Sequence, residues 1–145
     1  MLIHDILKQK GDRIVSVNPG TTVYDAVQTM VENKVGAVLV VQDGNKPVGI
    51  FTERDNLRIT VKDDCDPENE TVDQHMTSEN LVVGLPSDTV EEAMKVMNDR
   101  RVRHLPVVED GKLIGLVSMG DVVRWTAEKF QSQVHYLKDY IAGSY

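Results

Sequence analysis

Pro19-Gly-Thr-Thr-Val-Tyr-Asp-Ala26 returns later in the chain as Pro86-Ser-Asp-Thr-Val-Glu-Glu-Ala93. Two further pairs follow in the same order: Val40-Val-Gln-Asp-Gly44 with Val107-Val-Glu-Asp-Gly111, and Gly49-Ile-Phe-Thr52-Glu-Arg-Asp55 with Gly115-Leu-Val-Ser118-Met-Gly-Asp121. The copies are 67 residues apart up to the Asp-Gly turns and 66 apart after them, so one hairpin has one residue more than the other. A repeat of this length is a complete supersecondary unit, and neither copy is expected to close a core alone. Two copies that face each other predict a pseudo-two-fold pair with two related clefts.

The composition narrows the class of protein. A chain of 145 residues with 41% hydrophobic residues is long enough for one compact domain with a buried core. The net charge of −7 argues against nucleic acid as a partner, because binding to a phosphate backbone needs a basic face. No signal-peptide pattern begins the sequence, and no apolar run approaches the ~20 residues that cross a bilayer. The one cysteine, Cys65, cannot form an internal disulfide, so we expect a cytoplasmic protein without a membrane partner.

Each repeat has the pattern of strand, helix, strand, strand and helix. In the first repeat, Val15 and Val17 alternate as in a short strand, and Thr21 or Thr22 is placed to cap the next helix. The apolar residues of this helix recur at helical spacing: Val23, Ala26, Val27, Met30 and Val31. The predicted fold class is α/β (α+β), with two β-α-β-β-α repeats related by a pseudo-two-fold axis and a C-terminal helix.

The second repeat departs from the first at one strand. Residues 81–83 are its predicted first strand, and Asp88 with Glu91 is placed like a capping pair for the helix that follows. Pro106 stands in the next strand at the place of Leu39 in the first repeat. Because proline cannot donate to a ladder, this position is expected at an edge or beside a site.

The chain divides into four predicted segments. Residues 1–62 form the first repeat with a lead-in helix, residues 63–71 an acidic linker, residues 72–124 the second repeat, and residues 125–145 a C-terminal helix. The end of the chain carries a seam-like apolar stripe of Phe130, Val134, Leu137 and Ile141. This stripe packs back on the domain or joins two copies of the chain, and we expect a homodimer.

The repeated ending of each unit has two interpretations. Thr52-Glu-Arg-Asp55 and Ser118-Met-Gly-Asp121 both fit a capping box, which satisfies the free N–H groups of a short helix without any ligand. The same geometry makes an anion site at a helix N-terminus, and a carboxylate there can accept hydrogen bonds from both hydroxyls of a ribose. The motif alone leaves both interpretations open.

A basic cluster in the second repeat favours a ligand. Arg100 and Arg101 are placed at a helix end, where the helix dipole favours arginine. Arg103 and His104 precede a buried strand near the strand end that leads to a cleft. Because the arginine fork suits bidentate contacts with phosphate, Arg103 and His104 are predicted to bind phosphate.

The repeated unit resembles a pair of cystathionine-β-synthase (CBS) domains, also called a Bateman module. The resemblance rests on the Pro-x-x-Thr-Val helix start, the Val-Val-x-Asp-Gly hairpin and the Gly-h-h-Thr/Ser-x-x-Asp ending, where h is apolar, in both copies. It covers roughly residues 15–124. Thr-Glu-Arg-Asp in the first copy and Arg-His-Leu-Pro-Val-Val in the second are similar to the small stand-alone members, which have no attached enzyme.

The resemblance implies a regulatory ligand that contains adenosine: AMP first, with ATP, ADP, NAD(H) or S-adenosylmethionine as alternatives. Carried over to this sequence, it gives ribose contacts, phosphate contacts and adenine contacts in two clefts. The implied ligand-binding residues are Val15, Val35, Gly36, Ala37, Thr52, Arg54, Asp55, Val82, Val102, Arg103, His104, Ser118 and Asp121. Asp55 and Asp121 hold the ribose hydroxyls, and Arg54, Arg103 and His104 meet phosphate. One cleft lacks part of the basic set, because Gly36 and Ala37 stand where the second copy has Arg103 and His104.

Three functions compete. The leading one is a regulatory sensor of adenine nucleotides, whose binding shifts the packing of the two repeats for an effector that the sequence does not identify. A ligand-independent dimerisation scaffold is the alternative. An enzyme is less favoured and no metal is predicted, because the histidines show no metal-ligand spacing and Cys65 lacks a paired base. The sequence also has no phosphate loop of the Gly-Lys-Thr/Ser kind.

Overall fold

The chain alternates short helices and strands in the order that the repeat predicts. The computed structural model describes residues 1–11, 13–62, 65–79 and 81–130. The first half contains α1 (Ile3–Lys10), β1 (Ser16–Val17), α2 (Val23–Asn33), β2 (Ala37–Gln42), β3 (Lys46–Thr52) and α3 (Glu53–Val61). A short 3₁₀ helix (Val72–Gln74) is followed by α4 (Val90–Arg100), β4 (His104–Glu109), β5 (Lys112–Ser118) and α5 (Met119–Lys129). The mixed α+β fold of two related repeats is confirmed.

Both repeats contain the predicted hairpin. β2 pairs antiparallel with β3 and β4 with β5, while β1 adds to the first sheet by parallel pairing with β2. The first hairpin turns through three residues and the second through two, and Asn45, with a φ of 70°, is the additional residue. The two hairpins meet where the Leu113 N–H donates to the Asn45 carbonyl at 2.9 Å. Ala37, Leu39 and Ile50 form a shared core with Leu113 between the sheets.

The strand predicted at residues 81–83 is wrong, and Pro106 supplies the reason. In the first repeat, the Leu39 N–H donates to the Val15 carbonyl at 3.2 Å, which extends the parallel pairing of β1 and β2. Pro106 holds the place of Leu39 and has no N–H, so it cannot donate to the Val82 carbonyl. Among the described residues of the second repeat, a single parallel bridge between Gly84 and Val107 remains. β4 is therefore an edge strand of a two-stranded sheet, which is one of the two places that the proline predicts.

The lead-in segments are exchanged between the repeats. α1 precedes the first repeat, yet Ile3 and Ile6 belong to the core of the second repeat. The 3₁₀ helix precedes the second repeat, yet Val72 is buried in the core of the first. Matching bridges join Leu2 to Thr89, and Thr71 to Thr22. Each repeat therefore completes its core with a segment that lies before the other repeat in the chain.

The glycine that opens each Gly-x-x-Thr/Ser-x-x-Asp motif makes room for the exchanged segment. A Cβ atom on Gly49 would lie 2.4 Å from Met76 Sδ, and one on Gly115 would lie 2.5 Å from Leu7 Cδ2. Leu7 and Met76 occupy matching places in the two lead-in segments, four residues after the buried Ile3 and Val72. The missing side chain thus allows close packing rather than an unusual backbone angle.

Threonine caps begin the first helix of both repeats. Thr22 caps α2, since its side chain accepts from the Asp25 N–H at 3.1 Å. In the second repeat the cap is Thr89, which forms a capping box with Glu92. The predicted pair of Asp88 and Glu91 is wrong by one residue, because the Asp88 carboxylate instead accepts from the Leu85 N–H at 2.8 Å.

The final described helix begins at the second motif. α5 starts after its cap, Ser118, and runs through the boundary that the sequence predicts after residue 124. Phe130 is exposed, and the other residues of the predicted apolar stripe (Val134, Leu137 and Ile141) lie outside the described residues. Among the described helices, none has the length and apolar character needed to cross a membrane.

Candidate functional site

One cleft gathers most of the predicted ligand-binding residues, and we call it the Asp55 cleft. Its volume is about 390 Å³, and both repeats contribute to its walls. Its lining residues are Gly36, Ile50, Thr52, Glu53, Arg54, Asp55, Leu57, Arg58, Thr77, Leu81, Val82, Arg101, Val102, Arg103 and His104. The polar wall comes from the start of α3, and the apolar wall comes from the segments before α4 and β4.

Asp55 is held in place by the start of α3. Its Oδ2 accepts from the backbone N–H of Thr52 at 2.9 Å, and the Thr52 hydroxyl accepts from the Asp55 N–H at 3.2 Å. The capping box is therefore present, as one of the two interpretations of the motif predicts. Asp55 Oδ1 accepts from the Thr77 hydroxyl at 3.2 Å and from Arg58 Nη1 at 3.3 Å. The carboxylate is only 2% exposed, and these hydrogen bonds hold it in one position on the cleft wall.

The Asp55 cleft concentrates positive charge in an acidic chain. Arg54 and Arg58 come from α3, and Arg101 and Arg103 come from the segment after α4. Only two carboxylates, Glu53 and Asp55, also line the cleft. Four guanidinium groups beside the N-terminus of α3 form a surface that attracts an anion such as phosphate.

His104 lines this cleft as a partly buried, neutral imidazole. Burial lowers the pKa of His104 below its usual value, the Glu53 carboxylate opposes this shift, and the Lys10 ammonium adds to it. The imidazole can therefore accept or donate a hydrogen bond at neutral pH without adding a charge. A phosphate group placed against it would favour the protonated form.

The second carboxylate, Asp121, is already paired within the chain. The Lys10 ammonium donates to Asp121 Oδ2 at 2.7 Å and to the Leu116 carbonyl at 2.7 Å. Burial alone would raise the pKa of Asp121, but the hydrogen bonds from Lys10 and Ser118 hold this pKa below its usual value. The cavity beside Asp121 is about 180 Å³ and is lined by Ile6, Gln9, Lys10, Asp121, Arg124, Trp125 and Glu128. Each carboxylate is thus contacted by a residue of a lead-in segment, but Lys10 bonds the oxygen that accepts from the cap N–H and Thr77 bonds the other oxygen.

The structure divides the sequence-predicted residues unevenly between the two cavities. Those that line the Asp55 cleft are Gly36, Thr52, Arg54, Asp55, Val82, Val102, Arg103 and His104. Asp121 lines the smaller cavity, while Val15, Val35, Ala37 and Ser118 line neither. The sequence analysis expected one cleft to lack part of the basic set. The smaller cavity has none of Arg54, Arg103 and His104, whereas the Asp55 cleft combines Arg54 of the first repeat with Arg103 and His104 of the second, because the clefts form across the repeats.

Several lining residues were missed by the sequence analysis. Arg58 lies one helical turn after Asp55, and this i, i+3 spacing could have indicated it. Arg101 was assigned to a helix end, and it does end α4 with a φ of 56°, yet it also lines the cleft. Thr77 is brought to Asp55 by the exchanged lead-in segment, so no local pattern in the sequence indicates it.

Comparison with known proteins identifies the repeat. A sequence profile described as the CBS domain matches residues 4–58 and 72–128, which is more than half of the chain. The chain belongs to the CBS domain family. Both matches begin in a lead-in segment, so the family unit includes the segments that this structure exchanges.

Relatives of the same family are similar along most of the chain. The CBS domain-containing protein CBSX3, mitochondrial, of Arabidopsis thaliana is 39% identical over 150 residues, covering 99% of this chain and 73% of that protein. The crystal structure of a CBS-domain containing protein from Agrobacterium tumefaciens is 34% identical, with a TM-score of 0.81, covering 87% of this chain and 99% of that one. The crystal structure of CBSX2 in complex with AMP is 29% identical, with a TM-score of 0.71, covering 88% and 96%.

Proposed function

We propose that this CBS pair is a regulatory module that binds AMP in the Asp55 cleft. The observation that carries the proposal is the meeting of a fixed, buried carboxylate with four arginines and His104 in one cavity. A carboxylate for the ribose hydroxyls and a basic wall for the phosphate are the two contacts that a nucleoside monophosphate requires. The CBSX2 structure, which holds AMP, supports the choice of ligand.

Each part of AMP has a matching part of the cleft. The ribose hydroxyls donate to Asp55, replacing the hydrogen bond from Thr77. The phosphate lies between the start of α3 and the segment that carries Arg103 and His104. Adenine packs against Val82 and Val102, which form the apolar wall. The Val82 carbonyl lacks the ladder bond that its counterpart Val15 receives, because Pro106 has no N–H, so it is free to accept from the 6-amino group.

The size of the cleft favours a small nucleotide. A volume of about 390 Å³ lies near the lower end of the roughly 300–1,000 Å³ typical of ligand pockets. This size favours AMP over ATP or NAD(H), while ADP is intermediate. IMP shares the ribose and phosphate but lacks the 6-amino group, so it is expected to bind more weakly than AMP if the Val82 carbonyl accepts from adenine.

We infer that one AMP binds per chain. The Asp121 carboxylate is occupied by Lys10, and the cavity beside it has less than half the volume of the Asp55 cleft. None of the apolar residues predicted for the second adenine site lines that cavity. A second nucleotide would have to displace the Lys10 ammonium from a buried carboxylate.

Isothermal titration of AMP into three forms of the protein tests this function. The wild type should bind one equivalent. Asp55→Asn should weaken binding at least tenfold, since each 1.4 kcal/mol corresponds to a factor of about ten. Asp121→Asn is the matched control, because it sits at the same motif position and should leave the affinity unchanged. No binding by the wild type, or equal losses in both variants, would refute the assignment of the cleft.

The proposed role is regulatory rather than catalytic. AMP would bridge the repeats and change the surface that an effector contacts, with a homodimer as the expected assembly. A ligand-independent scaffold remains the second candidate, and it would be supported by a dimer whose stability does not respond to any adenine nucleotide. The cytoplasmic location also stays a prediction, and the relative from Arabidopsis thaliana is described as mitochondrial.

A further inference from the structure

Three different metal-binding side chains meet where the linker joins the 3₁₀ helix that follows it. Cys65, Glu70 and His75 place their ligand atoms within 4.8 Å of one another, and all three residues are partly buried. Cys65 Sγ lies 3.7 Å from His75 Nε2, which lies 2.9 Å from Glu70 Oε1. None of the three lines the Asp55 cleft. The sequence analysis found no metal-ligand spacing for His75 and no base for Cys65, and the structure corrects the second point by placing His75 beside the thiol.

The distances fit a tetrahedral zinc ion after a small adjustment. Zinc binds thiolate sulfur at about 2.3 Å and imidazole nitrogen or carboxylate oxygen at about 2.0–2.2 Å. The edges of such a tetrahedron are roughly 3.4–3.6 Å. The separation of Cys65 Sγ and His75 Nε2 is close to that value, and Nε2 and Oε1 need to separate by a few tenths of an ångström. The ion would take the place of the hydrogen between His75 and Glu70.

Glu70 is held by hydrogen bonds that do not use its ligating oxygen. Glu70 Oε2 accepts from the Asp66 N–H, which leaves Oε1 directed to His75. The Asp66 carbonyl accepts from the Glu70 N–H at 2.8 Å, so the turn is closed on itself. The Glu70 carbonyl in turn accepts from the Val23 N–H at 2.9 Å at the start of α2. Such supporting contacts orient metal ligands in proteins.

The local electrostatics also favour a cation. The pKa of the Cys65 thiol is raised, first by burial and then by the carboxylates of Glu70 and Asp66. The hydrogen bond from the Asp66 N–H, and then the contact with His75, hold the pKa of Glu70 below its usual value. Binding of a divalent ion through the thiolate would release the thiol proton to solvent.

We propose that Cys65 Sγ, Glu70 Oε1 and His75 Nε2 bind a zinc ion, with water as the fourth ligand. Because the turn at Glu70 is bonded to α2 and His75 follows the exchanged 3₁₀ helix, the metal would fasten the linker to the first repeat. This site is independent of the proposed nucleotide cleft, so either can fail without the other.

Cobalt substitution of the full chain tests the site. Cys65 is the only cysteine, so a thiolate-to-cobalt charge-transfer band can come from no other residue. We expect this band to saturate at one Co²⁺ per chain and to be lost when Zn²⁺ displaces the cobalt. Cys65→Ser should lack the band, and Glu70→Gln and His75→Gln should each weaken Co²⁺ binding at least tenfold. His4→Gln, an exposed histidine on α1, is the matched control and should behave as wild type.

A second measurement keeps the proposal testable if a variant fails to fold. In the wild type, one equivalent of Zn²⁺ should slow the reaction of Cys65 with a thiol reagent at least tenfold. The proposal is overturned by an unchanged reaction rate, by the absence of the cobalt band, or by a band whose affinity is unaffected in both Glu70→Gln and His75→Gln. Saturation at one ion per two chains would also overturn it, since the site would then lie between copies.

Discussion

His104 is the residue through which pH should act on ligand binding. Its pKa is lowered in the free protein by burial, with Lys10 and Arg103 adding to the shift and Glu53 and Asp121 opposing it. A bound phosphate would raise this pKa, so the complex takes up a proton that the free protein lacks. AMP affinity should therefore increase as the pH falls from 7.5 toward 6, by up to about tenfold per pH unit. Titration calorimetry across this range measures the effect.

His104→Gln separates the imidazole from the ligand's own titration. The phosphate of AMP also gains a proton near pH 6, and this contribution is the same for both proteins. The variant should show a flatter increase than the wild type, and equal slopes would contradict the role of His104. Protonation of His104 has the opposite effect on the stability of the free protein, because the unfolded chain binds the proton more readily than the folded chain does. The contribution of His104 to stability should thus decrease as the pH falls below about 6.5.

Lys10 is expected to stabilise the fold through Asp121. Lys10→Met removes the ammonium at 2.7 Å and leaves the buried carboxylate with the Ser118 N–H at 2.9 Å and the longer contact to Arg124 at 3.6 Å. We expect the free energy of unfolding at pH 7 to fall by about 1–3 kcal/mol, as measured by urea denaturation. Lys8→Met, an exposed position on the same helix, should change it by no more than about 0.5 kcal/mol.

The pH dependence of the Lys10 variant gives an independent check. The pKa of Asp121 is depressed in the wild type, so its stabilising contribution is present at neutral pH and is lost as the pH falls through that pKa. Lys10→Met should show a smaller loss of stability between pH 7 and pH 3 than the wild type. An identical acid dependence would mean that Lys10 does not control the ionisation of Asp121.

At the residue scale, local patterns were predictable and distant contacts were not. The three-residue spacing of Thr52 and Asp55 fixes a capping box wherever a helix begins, so the carboxylate could be placed from the sequence. Lys10 meets Asp121 across 111 residues, and Thr77 meets Asp55 across 22. Nothing in the neighbourhood of either residue indicates those contacts, because they depend on the exchange of the lead-in segments.

Among the structural elements, α1 should be sensitive to the glycine beneath it. Gly115→Ala places a Cβ 2.5 Å from Leu7 Cδ2, so α1 or its side chain must move. Overpacking of this kind typically costs about 1–3 kcal/mol, and we expect a loss of that size in urea denaturation. In a Leu7→Ala background the same substitution should cost less, which a double-mutant cycle would measure.

Gly120→Ala is the control for the glycine substitution. The new Cβ would lie 3.5 Å from Ser118 Oγ, an ordinary contact, at an exposed position of α5. Replacing a helical glycine by alanine is neutral or stabilising by up to about 1 kcal/mol. If Gly115→Ala behaved like this control, α1 would not be packed on β5 as the structure has it.

The segment at residues 81–83 shows that an apolar sequence pattern alone does not determine a strand. The apolar run at residues 81–83 favours a strand, and the corresponding segment of the first repeat does form one, β1. The difference lies in the partner strand, where Pro106 removes the donor that Leu39 provides. A strand forms only where a neighbouring strand supplies hydrogen bonds, so Pro106 in β4 determines whether residues 81–83 form one.

At the scale of the whole molecule, the exchanged segments should make the two repeats unfold together. Each core contains residues from the segment before the other repeat, and a third cluster joins the two sheets. Neither repeat can therefore unfold without exposing apolar surface of its partner. The fold class was predictable because the same pattern of strands and helices occurs in both copies. The exchange of the lead-in segments was not predictable, since the two segments have similar sequences.

Urea denaturation with two probes tests this coupling and the ligand's action on it. Trp125, the only tryptophan, is buried in the core of the second repeat, so its fluorescence reports that repeat. Far-ultraviolet circular dichroism reports both repeats. We expect the two transitions to coincide.

AMP at 100 times its dissociation constant should add about 2.7 kcal/mol to the free energy of unfolding and raise the urea midpoint without changing the m-value. Asp55 belongs to the first repeat and Trp125 to the second. A higher midpoint in the Trp125 fluorescence therefore requires that AMP stabilise both repeats. Two separated transitions, or a shift in the dichroism alone, would instead mean that the repeats respond independently and that AMP does not bridge them.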